Sequence, residues 1–279
     1  MKTRNLVLTI TITAIASLAG YLSGTLASAD NPDKDAWKTS QYQLGGLLYM
    51  QKAAEYRALA YQAFNVARMS LDADEKTRKK LPKAERKKSC AVMVDIDETV
   101  LDNSPFQTVS IKGDLPFDLQ RWYAWGDMRK AKAIPGAADF LNYASQRRCR
   151  VFYSSNRDLV QKTATIDNLK TVGFPDVSDE TVLLRDKESS KEARRQSISA
   201  KYRIVLLMGD NLIDFAGVFD GKSVADRFTE TDKARSNWGT KWIVLPNAMY
   251  GDWENTLYDY KHLSPDEKGD RRREAITGY

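Results

Sequence analysis

The stretch that most constrains this chain is an apolar run that passes directly into a pair of acids. Residues 91–94 read Ala-Val-Met-Val, and Asp95, Asp97 and Thr99 follow at alternate positions. A short apolar run of this kind is typical of a buried strand in a parallel sheet. Because burying unpaired acids is costly, we expect both aspartates to lie beyond the carboxyl end of that strand. Open α/β sheets place their chemistry at that edge.

Asp95 and Asp97 are spaced so that they can act on one small object. Residues i and i+2 of an extended chain point the same way. Two carboxylates in that arrangement suit a hard cation such as Mg²⁺, which completes its coordination with phosphate oxygens and water. An aspartate can also attack phosphorus as a nucleophile while a second one serves as general acid and base. The alternative is an Asp-rich turn without function, which a short Asp-x-Asp pair alone does not exclude.

Two longer segments carry a family resemblance. Residues 95–105 read Asp-Ile-Asp-Glu-Thr-Val-Leu-Asp-Asn-Ser-Pro, and residues 204–215 read Ile-Val-Leu-Leu-Met-Gly-Asp-Asn-Leu-Ile-Asp-Phe. In this order they resemble signatures of the haloacid dehalogenase superfamily, and more narrowly of the bacterial class C acid phosphatases of the lipoprotein e type. The resemblance covers residues 37–260. It implies an α/β, Rossmann-like fold with a central parallel sheet flanked by helices and a small helical cap.

The resemblance also implies a catalytic set. Its members are Asp95, Asp97, Thr99, Ser155 and Lys191. Asp95 is expected to be the nucleophile and Asp97 the general acid and base, while the other three hold phosphate oxygens. For Ser155, a helix cap is the alternative. Lys187 stays open as an alternative to Lys191 for the lysine that faces the phosphate.

The same resemblance implies a metal site and Mg²⁺ as cofactor. Asp95, the backbone carbonyl of Asp97, and Asp210 are expected to bind the ion directly. Asp214 is expected to lie behind them and to orient metal-bound water. A site of carboxylates without histidine or thiolate ligands favours a hard ion of this kind.

Substrate contacts are expected from residues near the second motif and from aromatic residues. The set is Asn156, Arg157, Phe117, Trp122 and Tyr250. Arg157 is expected to add a charged donor to the phosphate. In class C relatives, aromatic residues at such positions enclose the base of a nucleoside monophosphate, so nucleoside monophosphates are the expected substrates. Packing in the cap and core is the alternative for these rings, and it is our expectation for Trp125.

Residue types that are scarce exclude several other enzyme classes. His262 is the single histidine, which excludes histidine phosphatases, Ser-His-Asp hydrolases and multi-histidine metal sites. Neither cysteine has an arginine at the spacing of a cysteine phosphatase loop, and the chain lacks a phosphate-binding Walker loop. With those classes excluded, the function that the resemblance implies is an exported Mg²⁺-dependent phosphomonoesterase. A phosphotransferase, or a binding or carrier protein without turnover, is the alternative.

The first 29 residues have the layout of an export signal. Lys2 and Arg4 precede an uncharged run over residues 6–26, and Ala27-Ser28-Ala29 is a small-x-small cleavage site. No cysteine stands there for lipid attachment, so we expect a periplasmic or secreted protein. Uncleaved, the run is long enough for a membrane anchor or a transient membrane association. Residues 30–279 are expected to form a single domain.

The remaining expectations concern partners and local structure. The net charge of +6 is too mild to indicate a nucleic acid partner, and a homodimer stays open. Residues 37–72 have a helical pattern, which Gly45-Gly46 is expected to divide. Residues 104–106 are predicted to form a turn, and the charged residues from 266 onward a frayed tail. Because strands carrying the first and second motifs are neighbours in the superfamily, Cys90 and Cys149 are within disulfide reach.

Overall fold

The structure, a computed structural model, describes residues 40–279, and the statements below concern these residues. The predicted export signal lies outside them. The strands are β1 (Ser89–Val94), β2 (Leu101–Asp102), β3 (Lys132–Ala133), β4 (Arg150–Asp158), β5 (Val182–Arg185), β6 (Tyr202–Gly209) and β7 (Trp242–Val244). Five of them form a parallel sheet in the order β5-β4-β1-β6-β7, so that β1 is central. The strands β2 and β3 form a separate antiparallel pair.

Helices cover the sheet and fill the connections between its strands. They are α1 (Leu44–Lys52), α2 (Ala54–Thr77), α3 (Lys83–Lys87), α4 (Ser104–Lys112), α5 (Leu119–Met128), α6 (Ala137–Gln146), α7 (Lys162–Thr171), α8 (Glu192–Lys201), α9 (Val224–Lys233), α10 (Asp252–Asn255) and α11 (Pro265–Glu274). Short 3₁₀ turns at Leu212–Asp214 and Thr256–Tyr258 lie on the carboxyl side of β6 and after α10. None of the helices in the described part of the chain is long and apolar enough to cross a membrane.

Strand β1 is buried on both faces, which explains its continuous apolar run. Val92 and Val94 belong to the main core, on the side of the sheet where α2 and α6 pack. Ala91 and Met93 point the other way and pack with Ile198 of α8. The segment between β1 and β4 holds α4, α5 and the β2–β3 pair, where the small helical cap was expected. The predicted α/β fold is confirmed.

The first long helical segment divides at a different place from the one predicted. The chain is extended at Ala53, between α1 and α2, and Gly45-Gly46 lies inside α1. Gly46 has another role: a Cβ there would come within 2.2 Å of the carbonyl oxygen of Ala248. The missing side chain lets α1 approach the loop that follows β7.

Two further local predictions were wrong. Residues 104–106 form the first turn of α4, where the absent N–H of Pro105 costs no hydrogen bond. The charged tail forms α11 over Pro265–Glu274, because Ser264 and Glu267 build a capping box at its start, and only residues 275–279 lie outside a helix or strand. Helix α11 contributes to the wall of the cavity described below.

The disulfide between Cys90 and Cys149 is present, with 4.5 Å between the Cα atoms. Cys90 lies at the amino end of β1, and Cys149 directly precedes β4. The parallel pairing of Ala91 with Arg150 brings the two cysteines together. The crosslink therefore lies at the edge of the sheet opposite the carboxyl ends of its strands.

Candidate active site

The carboxyl ends of β1, β4 and β6 bring the predicted motif residues together. Asp95 follows β1, Ser155 lies in the last part of β4, and Asp210 follows β6. The Asp95 amide donates to the carbonyl of Met208 at 2.8 Å, which continues the β1–β6 pairing to the acid. Three neighbouring parallel strands thus deliver their polar ends to one edge of the sheet.

Lys191 is the lysine at this site. It is buried, and its ammonium group contacts the Asp95 carboxylate and lies 2.6 Å from Oδ1 of Asp214. Burial alone would lower the pKa of Lys191, but Asp214 and Asp95 outweigh burial and hold that pKa above its ordinary value. Lys187 is exposed to solvent. The structure therefore favours Lys191 over Lys187.

Asp95, Asp210 and Asp214 form a cluster that fits a metal ion. One carboxylate oxygen from each lies within 4.8 Å of the others. Burial raises the pKa of Asp95 well above its usual range, and burial together with Asp214 raises the pKa of Asp210 to about 7. Buried carboxylates packed this closely repel one another, so a cation would stabilise the cluster. Its oxygen-only donors suit a hard divalent ion.

Asp97 is not part of this cluster, and donors from three residues hold its carboxylate. Its carboxylate accepts hydrogen bonds from Ser155 Oγ at 3.0 Å and from Asn103 Nδ2 at 2.8 Å. Arg157 donates through both Nε, at 2.9 Å, and Nη2, at 2.7 Å. These bonds occupy the Asp97 carboxylate, and the contact of its backbone carbonyl with a metal stays a prediction.

Arg157 lies elsewhere than the sequence led us to expect. Its guanidinium is fully buried against Asp97, and it also donates to Thr165 Oγ1 at 3.2 Å. The Trp122 ring covers it, with 5.3 Å from the guanidinium carbon to the ring centroid. Arg157 therefore holds the expected general acid, where we had predicted a donor directed at the phosphate.

Thr99 lies beside the candidate metal cluster. Its side chain is buried, does not line the cavity, and donates to Oδ1 of Asp210 at 3.1 Å. Asn247 Nδ2 donates to the other Asp210 oxygen at 2.8 Å. Thr99 and Asn247 thus orient a candidate metal ligand, and the expected contact of Thr99 with a phosphate oxygen stays a prediction.

Ser155 and Asn156 line the cavity beside Asp95 and Asp97. Besides its bond to Asp97, Ser155 Oγ accepts the backbone N–H of Arg157 at 3.0 Å, which fixes the turn after it. Asn156 Oδ1 accepts a hydrogen bond from Arg194 at 2.6 Å. Arg194 also donates to the carbonyl of Ser155, so it ties the second motif to the start of α8.

The cavity that contains these groups has a volume of about 890 Å³, near the upper end of the range for small-molecule sites, which is about 300–1,000 Å³. Phe106, Trp122 and Tyr250 line it beyond the carboxylates. Phe117 also lines it, but 67% of this residue is exposed. Trp125 packs against the core and donates to Asn103 at 2.8 Å, so the expectation for Trp125 holds.

The far wall of the cavity comes from both ends of the described chain. Arg272 of α11 lies over the Tyr42 ring, 3.6 Å from its centroid. Its Nε donates to Glu254 at 3.1 Å and to Tyr258 Oη at 2.7 Å. Lys268 lines the same wall. A phosphate group needs little of this space, so the far wall is available to the rest of a substrate.

The sequence reasoning missed Glu98, Asn103 and Asn247. Glu98 is completely buried and accepts hydrogen bonds from the Asn103 backbone and from the Tyr250 hydroxyl. Burial, and then the neighbouring Asp97 and Asp210, raise the pKa of Glu98 well above its ordinary value. Glu98 and Asn103 lie within the first motif, and Asn247 follows the last strand at the same sheet edge. Their positions in the sequence, close to the predicted site, were the signal from which they could have been found.

Comparisons with known proteins agree with this geometry. The family model described as HAD superfamily, subfamily IIIB (Acid phosphatase) matches residues 10–253. The structure of the class C acid phosphatase from Bacillus anthracis superposes with a TM-score of 0.81 at 41% sequence identity, covering 87% of this chain and 99% of that chain. A structure of the class C acid phosphatase from the same organism with tungstate bound gives the same TM-score and coverage at 42% identity. The chain therefore belongs to the acid phosphatases of HAD subfamily IIIB.

Proposed function

We propose that this acid phosphatase is an exported, Mg²⁺-dependent phosphomonoesterase that acts through an aspartyl phosphate and prefers nucleoside monophosphates. The observation that carries the proposal is the placement of Asp95. Its buried carboxylate follows the central strand, contacts Lys191 and shares a cluster with Asp210 and Asp214. That arrangement gives a carboxylate nucleophile a cation partner and a metal site at one point.

Asp95, the carbonyl of Asp97 and Asp210 would hold the ion, with Asp214 behind them. Bound there, Mg²⁺ would neutralise charge on the phosphate oxygens and orient the group for attack. The chemical steps belong to the side chains. A carboxylate oxygen of Asp95 forms a bond to phosphorus as the bond from phosphorus to the leaving oxygen breaks.

Asp97 moves the protons. It gives a proton to the leaving oxygen as that bond breaks, and then takes one from the water that attacks the aspartyl phosphate. The second attack forms a bond from the water oxygen to phosphorus, frees the Asp95 carboxylate and releases inorganic phosphate. Ser155, Asn103 and Arg157 fix the direction of the Asp97 carboxylate, so little reorganisation is needed before proton transfer.

The phosphate oxygens have donors at hand. Lys191 and Asn156 line the cavity near Asp95, and the Ser155 hydroxyl, which donates to Asp97 in this structure, would turn its proton towards a phosphate oxygen when substrate binds. Positioning and electrostatic stabilisation supply most of the rate in phosphoryl transfer, so these residues are expected to matter as much as the proton donor.

The leaving group is read by the aromatic part of the cavity. Tyr250 and Trp122 line it with partly buried rings, and Phe117 lies at its exposed edge. Stacking is tolerant of base identity, because every base has a π-face. Nucleoside monophosphates are therefore expected to be better substrates than phosphates with small aliphatic leaving groups, with little discrimination among bases.

Export is supported by two independent features. The first 29 residues have the layout of a cleavable signal, and the chain's two cysteines form a disulfide. Disulfides persist in oxidising compartments such as the periplasm or the extracellular space. We propose that residues 30–279 are the mature, single-domain protein; sequencing the amino terminus of the native protein tests this, and an intact Met1 in a membrane fraction would contradict it.

A phosphatase assay on the purified mature protein tests the proposal. Activity on a nucleoside monophosphate should disappear after exhaustive chelation and return with Mg²⁺, while Asp95→Asn should stay inactive under both conditions. Full activity after chelation would contradict the metal requirement. Measuring phosphate transfer to an added alcohol separates hydrolysis from phosphotransfer, because a phosphotransferase would form a new phosphate ester in place of inorganic phosphate.

A further inference from the structure

Glu98 occupies an unusual position within the first motif. It lies between Asp97 and Thr99, its side chain is completely buried, and its backbone has φ of 57°. That left-handed conformation disfavours side chains other than Gly, Asn and Asp. Such a residue persists only when its surroundings fix it, and it is found most often at functional sites.

The contacts of Glu98 reach from the first motif to the loop after β7. Oε1 accepts the backbone N–H of Asn103 at 2.8 Å, within the motif. Oε2 accepts a hydrogen bond from the hydroxyl of Tyr250, which is 152 residues away in sequence. Glu98 therefore connects the loop of the nucleophile with a ring that lines the cavity.

The backbone of that loop is anchored separately. Asn247 donates to Asp210, and its Oδ1 accepts the backbone N–H of Met249 at 2.9 Å and of Tyr250 at 3.4 Å. The Tyr250 ring also packs against the edge of the main core, but that apolar contact does not fix its polar end. The Glu98 carboxylate is the group that holds its hydroxyl end.

We propose that Glu98 is a positioning residue for substrate choice: it holds the Tyr250 ring in the orientation that reads the leaving group. The inference rests on the proposed function, since it requires that Tyr250 contact a nucleoside. It makes the acid inside the first motif a determinant of specificity in addition to a part of the catalytic loop.

Two substitutions at Glu98 separate the effect of its side-chain length from the effect of its carboxyl group. Glu98→Asn tolerates positive φ, but its side chain is one methylene too short to reach Tyr250. Glu98→Gln keeps the reach, since its amide can still bond to both Asn103 and the phenol. The measured quantity is the ratio of kcat/KM for adenosine 5′-monophosphate to kcat/KM for glycerol phosphate.

Glu98→Asn should lower this ratio roughly tenfold, the scale of one intramolecular hydrogen bond. The loss should lie mainly in KM for the nucleotide, because a binding contact is weakened. Glu98→Gln should retain most of the preference. In a Tyr250→Phe background, which lacks the hydroxyl, Glu98→Asn should change the ratio little, because the two residues act through one bond.

Each outcome decides a different point. Glu98→Asn could lower the ratio equally with and without the Tyr250 hydroxyl, or lower kcat/KM for both substrates by the same factor. In either case Glu98 acts through the fold of the motif, and the inference is overturned. If Glu98→Asn does not fold, loss of the nucleotide preference in Tyr250→Phe alone supports the inference, and a full preference overturns it. A wild-type protein without nucleotide preference overturns the proposed substrate class and this inference together.

Discussion

The two ends of the active-site cavity are built from different parts of the fold. The phosphate end consists of residues that follow adjacent strands of the sheet, such as Asp95, Ser155 and Asp210. The leaving-group end combines Trp122 of a connecting helix, the Tyr250 loop, and Arg272 of the last helix. In the proposed function, the strand ends carry the reacting groups, whereas loops and peripheral helices shape the space for the rest of the substrate. The two ends should therefore respond differently to substitution.

Asp95→Asn is expected to have the largest effect, and to affect all substrates alike. An amide cannot form the acyl phosphate, so kcat should fall roughly 10⁴- to 10⁶-fold, the scale seen when a nucleophile is removed. Steady-state kinetics on a nucleotide and on an aliphatic phosphate measure this, with circular dichroism to confirm folding. Near-normal turnover would show that Asp95 is not the nucleophile.

Asp97→Asn should come next, with a loss of roughly 10²- to 10⁴-fold, the usual contribution of acid–base catalysis. The loss should be smaller for a substrate with a good leaving group, such as a nitrophenyl phosphate, because that group needs less help from a proton. An equal loss on good and poor leaving groups would contradict the role of Asp97 as the acid.

Tyr250→Ala tests the other end of the cavity. It should lower kcat/KM for a nucleoside monophosphate roughly tenfold to a hundredfold, through the loss of stacking. Glycerol phosphate, which lacks a ring to stack, should be affected far less. Equal losses on both substrates would mean that Tyr250 supports the loop and does not read the base, and the contrast between the two ends would fail.

Stability should depend on pH through the phosphate end. The pKa of Asp210 rises from its usual 3.8 to about 7 in the metal-free protein, so the folded state binds this proton more tightly than the unfolded state does. The free energy of unfolding should therefore decrease as pH rises through that interval. Thermal unfolding of the wild type and of Asp210→Asn across this pH range measures the effect. Without metal, the melting temperature of Asp210→Asn should fall less with rising pH than that of the wild type. Added Mg²⁺ should reverse the fall in the wild type alone. If the two proteins showed the same pH dependence of stability without metal, Asp210 would not be its source.

The disulfide should have the smallest effect on catalysis, because it lies at the opposite edge of the sheet from both ends of the cavity. Replacing Cys90 and Cys149 by serine should lower the free energy of unfolding by roughly 2–4 kcal/mol. Denaturant unfolding measures the loss, and kinetics at a temperature where both proteins are folded should give similar kcat values. A large fall in kcat there would show that strand positions at the site depend on the crosslink.

The phosphate end was largely predictable from the sequence because parallel strand ends meet at one edge. Asp95, Asp210 and Lys191 lie together as expected. Thr99 lies beside them, but its hydrogen bond to Asp210 could not be read from the sequence. The left-handed conformation at Glu98 turns the chain, and Thr99 then points at Asp210.

The leaving-group end was much less predictable. Tyr250 could be named from its position in a loop, but its bond to Glu98 depends on how that loop returns to the first motif. Arg157 was assigned to the phosphate, because the sequence does not show that Asp97 turns towards it. Helix α11 was expected to fray, and its contacts with Tyr42 and Glu254 join residues far apart in the chain. Such contacts are set by tertiary packing, which no local pattern encodes.

Direct trapping of the phosphorylated residue tests the central claim, that Asp95 carries the phosphoryl group. The protein would be mixed with a nucleoside monophosphate, quenched in acid and treated with borohydride, which reduces an aspartyl phosphate to homoserine. Peptide mapping by mass spectrometry should find homoserine at position 95 in the wild type and none in Asp95→Asn. Homoserine at position 97, 210 or 214, or its absence in a protein that is turning over substrate, would contradict the account.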